Sequence, residues 1–239
     1  MSADRNEAKQ SSRRDGLLLE VKGVSKRFGS LQAVSDCSFD VERGKIVGLI
    51  GPNGAGKSTV FELITGFQRL DSGTVLFRGE NISGDAPYLI ARKGIGRTFQ
   101  TTRVFPKLTV LENLRLASRS PDWEAEALAL LQLSRLVAVK DDYAGSLSFG
   151  QQKLVSLMQI VILGAELILL DEPSAGINPT LQRDIVDLIR QLNASGKTFL
   201  VIEHNMDFVM KHCEKVVVLA AGTRIAKGPA LRSAETRRC

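Results

Sequence analysis

Apolar and polar positions along the chain change period twice. After a polar stretch, LLLEVKGV, SDCSFDVERG and GTVLFRGENI are short β-like runs separated by turn residues. KIVGLI ends in a glycine-rich loop that leads into KSTVFELITGF, where the apolar positions follow the helical period. Further on, ELILLDEP, TFLVIEH and KVVVLAAG are β-like again, with IVDLIRQLNASG as a helical segment between two of them. Continuous apolar strands alternating with helices predict a parallel sheet covered on both faces. Between the two β-rich regions, LTVLENLRLAS, WEAEALALLQLSRL and FGQQKLVSLMQIVILG all keep the helical period, so residues 102–165 are expected to form a helical insert. In LSFGQQK, Ser148 stands three residues ahead of Gln151 before an apolar run, which predicts a helix N-cap with a capping box.

Composition narrows the possibilities. With 239 residues, 44% hydrophobic and 24% charged, the chain can bury a core in one domain or in a domain with a subdomain. Aromatics make up only 5%, too few for a stacking surface that grips single-stranded nucleic acid. Part of the net charge of +6 sits at the ends, on Arg5, Lys9, Arg13, Arg14, Arg232, Arg237 and Arg238, and reads as solvated tails. Residues 1–16 are expected to be a disordered polar tail and 231–239 a short polar tail. Cys37, Cys213 and Cys239 are odd in number and widely spaced, which argues against a disulfide framework or a zinc site. No apolar run is long enough to span a membrane and the N-terminus lacks the apolar region of a secretory signal, so a cytoplasmic location is expected.

The chemistry begins at GPNGAGKS, Gly51 to Ser58, which fits G-x-x-x-x-G-K-[ST] between an apolar strand and a helix. Gly51, Gly54 and Gly56 let the backbone curl until successive N–H groups face phosphate oxygens, and the helix N-terminus adds its positive dipole end. Lys57 can reach the β- and γ-phosphates, and the Ser58 hydroxyl can ligate magnesium. In ELILLDEP a buried strand ends in two carboxylates at the carboxyl edge of the sheet, where open α/β sheets bind ligands. Asp171 is a candidate for Mg²⁺, and Glu172 for the general base that polarises the attacking water.

Taken in order, these motifs resemble the ATP-binding subunits of ABC transporters over residues 17–230. Phe28 in KRFG resembles the aromatic that stacks on adenine, and GPNGAGKST the phosphate loop, with Pro52, Asn53, Ala55 and Thr59 completing the ATP-binding set. Gln100 in GRTFQ matches the Q-loop glutamine, a catalytic and metal-binding candidate, and LSFGQQ takes the place of the signature. ILLDEP resembles the Walker B strand, SAGINP the D-loop, and His204 in VIEH the switch histidine that contacts the γ-phosphate. The implied fold is α/β: a P-loop NTPase core with a mostly parallel sheet, an antiparallel β subdomain and an α-helical subdomain.

The resemblance implies a head-to-tail dimer of ATPase subunits, homo- or heteromeric, that sandwiches two ATP molecules. In it Ser148, Phe149, Gly150 and Gln151 face the ATP of the other subunit. It also implies transmembrane permease subunits, docked near TTRVFPKLTVLENL on the inner face of the cell membrane, and indirectly an extracytoplasmic solute-binding protein. Nucleic acid is not an expected partner. GLIGPNGAGKSTVFELITGF, GIGRTFQTTRVFPKLTVLENL, SLSFGQQK, DEPSAGINP and VIEHNMDFVM are most similar to subunits serving branched-chain amino-acid uptake, with relatives in urea and short-chain amide uptake. The alternatives are an ATPase that energises lipid or lipopolysaccharide export, and a non-transport ABC ATPase acting on DNA or in translation. The chain departs from many relatives in the apolar run LVSLMQIVILG after the signature and in a short insert between Pro121 and Leu147. His212 matches no motif and reads as structural.

Overall fold

A computed structural model describes residues 16–99 and 101–230. Its strands form two sheets. In the first, β1 (Leu17–Phe28), β2 (Leu31–Glu42), β4 (Ser72–Phe77) and β5 (Glu80–Asn81) pair antiparallel in the order β2-β1-β4-β5. The second contains β3 (Ile46–Ile50), β6 (Ile95–Arg97), β7 (Leu167–Asp171), β8 (Thr198–Ile202), β9 (Lys215–Ala220) and β10 (Thr223–Pro229), in the order β10-β9-β3-β8-β7-β6. Its pairs are parallel except β10 with β9.

The uninterrupted apolar strands follow from their place in this sheet. Every residue of β7 and β8 is buried, because both faces are covered. Along β7, Leu167 and Leu169 enter one core while Ile168 and Leu170 enter the other, and Leu200 and Ile202 alternate with Phe199 and Val201 in the same way on β8. One core lies under helix α1 (Lys57–Ile64) and the antiparallel sheet. The second lies under α3 (Val110–Ala117), α4 (Trp123–Leu133), α5 (Phe149–Ile162), α6 (Pro179–Ala194) and α7 (Met206–His212). The loop ahead of α3 is tied down by Asn113, which is fully buried. Its side chain donates to the carbonyls of Phe105, Leu108 and Thr109 and accepts from the Phe105 N–H.

Periodicity missed four elements, each for a physical reason. Strand β6 has three residues, one of them Gly96, too short to display a period. Helix α2 (Pro87–Lys93) is two turns long, started by Pro87 at its first position and stopped by Gly94 in the left-handed region. Helix α7 (Met206–His212) is equally short and is started by the Asn205 side chain, which accepts from the Phe208 N–H. Strand β10 is a solvent-facing edge strand whose residues are nearly all exposed, so no alternation marks it.

Candidate nucleotide site

The loop between β3 and α1 is shaped by its glycines. Gly56 has φ 92°, and a Cβ there would lie 2.5 Å from the Ala33 carbonyl oxygen. The loop therefore holds its curl only with glycine at this position. Lys57 is 6% exposed, and its ammonium donates to the carbonyls of Gly51 at 2.8 Å and Pro52 at 2.9 Å. Burial lowers its pKa below the usual lysine range, against the attraction of Glu172 and Asp171.

Above this loop opens a cleft of about 560 Å³ lined by Phe28, Leu31, Gln32, Ala33, the run Asn53 to Thr59, Glu172 and His204. Phe28 is 41% exposed at its edge rather than packed in the core. Glu172 and His204 arrive from the ends of β7 and β8, neighbours in the sheet, and Glu172 Oε1 lies 2.9 Å from His204 Nε2. Glu172 has φ 50°, a left-handed conformation that costs a non-glycine residue about 1–3 kcal/mol. Its N–H donates to the Ile202 carbonyl at 3.0 Å.

Asp171 pairs with a different residue. Its Oδ2 accepts from Arg97 Nη2 at 3.0 Å in an ion pair whose side chains are 3% and 7% exposed, and the Asp171 N–H donates to the Thr98 hydroxyl. The guanidinium of Arg97 stacks near Phe61 and Phe99, with centroid distances of 5.5 and 5.2 Å. Asp171 Oδ1 is buried with no hydrogen-bond partner among the described residues. A buried carboxylate oxygen left open in this way suits a hard divalent cation or its bound water. Gln100, the other metal and catalytic candidate, lies outside the described residues.

The signature residues do not line this cleft. Ser148 caps α5: its hydroxyl accepts from the Gln151 N–H, while the Gln151 side chain accepts from the Ser148 N–H at 3.0 Å, so the predicted capping box is formed. Ser148 and Phe149 are exposed. Gly150 is buried, and a Cβ there would come within 2.6 Å of Leu181 Cδ1, so its glycine has a packing reason inside the chain.

Three positioning groups carried no motif. Glu203, 3% exposed, accepts from the N–H groups of Ser174, His204 and Asn205 and so joins the ends of two strands. Arg97 holds Asp171. Lys153 donates to the carbonyls of Glu172 and Ala175 at 2.9 and 2.7 Å. A charge closing an apolar strand, as in VIEH, was the available signal for Glu203; Lys153 and Arg97 act across the fold and leave no local pattern. His212 packs its ring against Phe208 at 5.0 Å, and Cys37 and Cys213 are core residues whose thiols burial pushes up to about 11 and about 12.

Comparison with known proteins agrees with this geometry. A family model described as ABC transporter matches residues 34–175. The chain is 37% identical over 228 residues to the probable branched-chain amino acid transport ATP-binding protein LivG of Archaeoglobus fulgidus, covering 88% of this chain and 89% of the relative. It is 37% identical to the high-affinity branched-chain amino acid transport ATP-binding protein LivG of Escherichia coli K12, covering 88% and 91%. Among solved structures, a nucleotide-free ATP-binding cassette from an ABC transporter matches with a TM-score of 0.83 at 34% identity, covering 90% of this chain and 92% of that one. The ADP conformation of such a cassette matches with a TM-score of 0.80 at 35% identity, covering 89% and 91%. With a phosphate loop under an open cleft, a Glu172–His204 pair at its rim and these likenesses over most of its length, the chain belongs to the ABC transporter family, as one of its ATP-hydrolysing subunits.

Proposed function

We propose that this subunit energises an importer of branched-chain amino acids or of a related small amide- or urea-type solute. The observation that carries the ATPase half of the proposal is the Glu172–His204 contact at the rim of the phosphate-loop cleft. The cargo half is supported by the relatives named above. Residues 17–230 form the ATPase domain, with the helical subdomain inserted at about 102–165 and polar tails on either side.

In the cleft the Gly51–Thr59 backbone and Lys57 hold the triphosphate, and Phe28 stacks on the base. Lys57 leaves its loop carbonyls for phosphate oxygens, exchanging neutral acceptors for charged ones. Glu172 takes a proton from the attacking water, while His204 Nε2, beside the carboxylate, orients that water and hydrogen-bonds the γ-phosphate. Mg²⁺, when bound, neutralises developing phosphate charge; Ser58, Asp171 and Gln100 would hold it. The open Oδ1 of Asp171 supports that assignment.

A second copy, or a related ATPase subunit, supplies Ser148 to Gln151 to the far side of the nucleotide. The exposure of Ser148 and Phe149, outside the chain's own cleft, supports this arrangement. Permease subunits hold the assembly at the inner face of the membrane, with a solute-binding protein on the other side. No helix among the described residues is long and apolar enough to cross a membrane. Purification from membranes tests the reading: hydrophobic permeases should co-purify, and ATP-dependent leucine uptake by the reconstituted complex is the expected result. Recovery with ribosomes or DNA instead would overturn it.

A further inference from the structure

Lys153 belongs to α5, five residues after Ser148, yet its ammonium serves another part of the molecule. It donates to the carbonyls of Glu172 at 2.9 Å, Ala175 at 2.7 Å and, more weakly, Pro173 at 3.4 Å. These three residues begin the turn that leaves β7. The contact falls on the residue whose backbone most needs holding, since Glu172 is in the left-handed region at φ 50° and carries a β-carbon. Among the described residues the turn is also held by the Glu172 N–H on the Ile202 carbonyl, the Ala175 N–H on the Glu172 carbonyl, and the Ser174 N–H on the Glu203 carboxylate. On the opposite side, the Lys153 ammonium lies 5.2 Å from the centroid of the Phe149 ring, one helical turn back and itself 44% exposed. The position is partly desolvated, which lowers the lysine pKa, and a buried ammonium of this kind is costly unless its protons are all bonded. The three carbonyls meet that need.

We infer that Lys153 is a positioning residue: by gripping the turn after β7 from the first turns of α5, it fixes the Glu172 carboxylate beside His204 and makes its placement depend on where the signature helix sits. The inference rests on the catalytic role proposed for Glu172. Lys153 itself is not among the residues that line the cleft, and it meets Glu172 at the backbone carbonyl, not at the carboxylate. Its loss therefore belongs in the chemical step. A displacement of about 1 Å at a catalytic group is enough to lower a rate by about 100-fold.

The test uses the full chain with Mg-ATP, comparing wild type, Lys153→Met and Lys153→Arg for kcat, KM and binding of a fluorescent ATP analogue, with melting temperature recorded for each. Lys153→Met should lower kcat by about 10- to 100-fold while KM and analogue affinity stay within about twofold. Lys153→Arg, which keeps donors aimed at the same carbonyls, should recover most of the lost kcat. A Lys153→Met variant with kcat within twofold of wild type overturns the inference, as does a loss of kcat matched by an equal loss of analogue affinity. A melting point lowered alike in both variants, with no recovery by arginine, overturns it too. A wild-type chain without ATP turnover would instead fail the reading of Glu172, a result separable from any of these.

Discussion

Lys57 shows how a single side chain is made ready for an anion. Its ammonium is almost fully buried, desolvated and held by two neutral carbonyls of its own loop. Neutral acceptors are weaker partners than charged phosphate oxygens, so the exchange on nucleotide binding is favourable. Lys57→Ala removes that exchange and should weaken ATP binding by about tenfold or more, read by titration with a fluorescent analogue. Asp171 and Glu172, adjacent in sequence, meet different partners because β7 ends at Asp171 and Glu172 turns into the left-handed region. Asp171 turns toward Arg97 with one oxygen left open, and Glu172 turns toward His204 with a strained backbone. The dipeptide could be found by reading the chain; the division of labour could not, because Arg97 and His204 reach it from β6 and from the end of β8.

At the scale of elements, α5 carries the most information per residue. Its capping box, Ser148 with Gln151, was legible because both partners lie three residues apart in one stretch. The burial of Gly150 was not, since Ile177 and Leu181, the residues that press on it, come from the loop after β7 and from α6. Gly150→Val should therefore destabilise the fold by about 1–3 kcal/mol through overpacking, seen as a lower melting temperature before any nucleotide is added. Strands β3, β7 and β8 were readable from their apolar runs because a parallel sheet buries both faces. The strands that were missed are those whose existence depends on neighbours: β6 pairs along β7, and β10 exists by pairing with β9.

At the scale of the molecule, the cleft is built from one end of the parallel sheet, while the Ser148 cap opens on solvent elsewhere. In the arrangement proposed above, a monomer presents two half-sites, and a second copy or a related subunit set head to tail completes both. ATP then shifts the balance between open and closed dimer by touching both subunits only in the closed form. Ser148→Arg separates the two halves. It should cost about 1 kcal/mol from the lost cap, leave nucleotide affinity of the monomer unchanged, and abolish ATP-driven dimerisation in size-exclusion chromatography. The apolar run after the signature has a structural explanation as well, since Leu154, Val155, Leu157, Met158, Val161 and Ile162 are all buried in the core beneath α3, α4 and α6.

The catalytic role proposed for Glu172 joins these scales, and phosphate release at saturating Mg-ATP tests it most directly. Glu172→Gln should retain nucleotide binding and accumulate the closed dimer while turnover falls by about 10²- to 10⁴-fold. Turnover in that variant equal to wild type would contradict it.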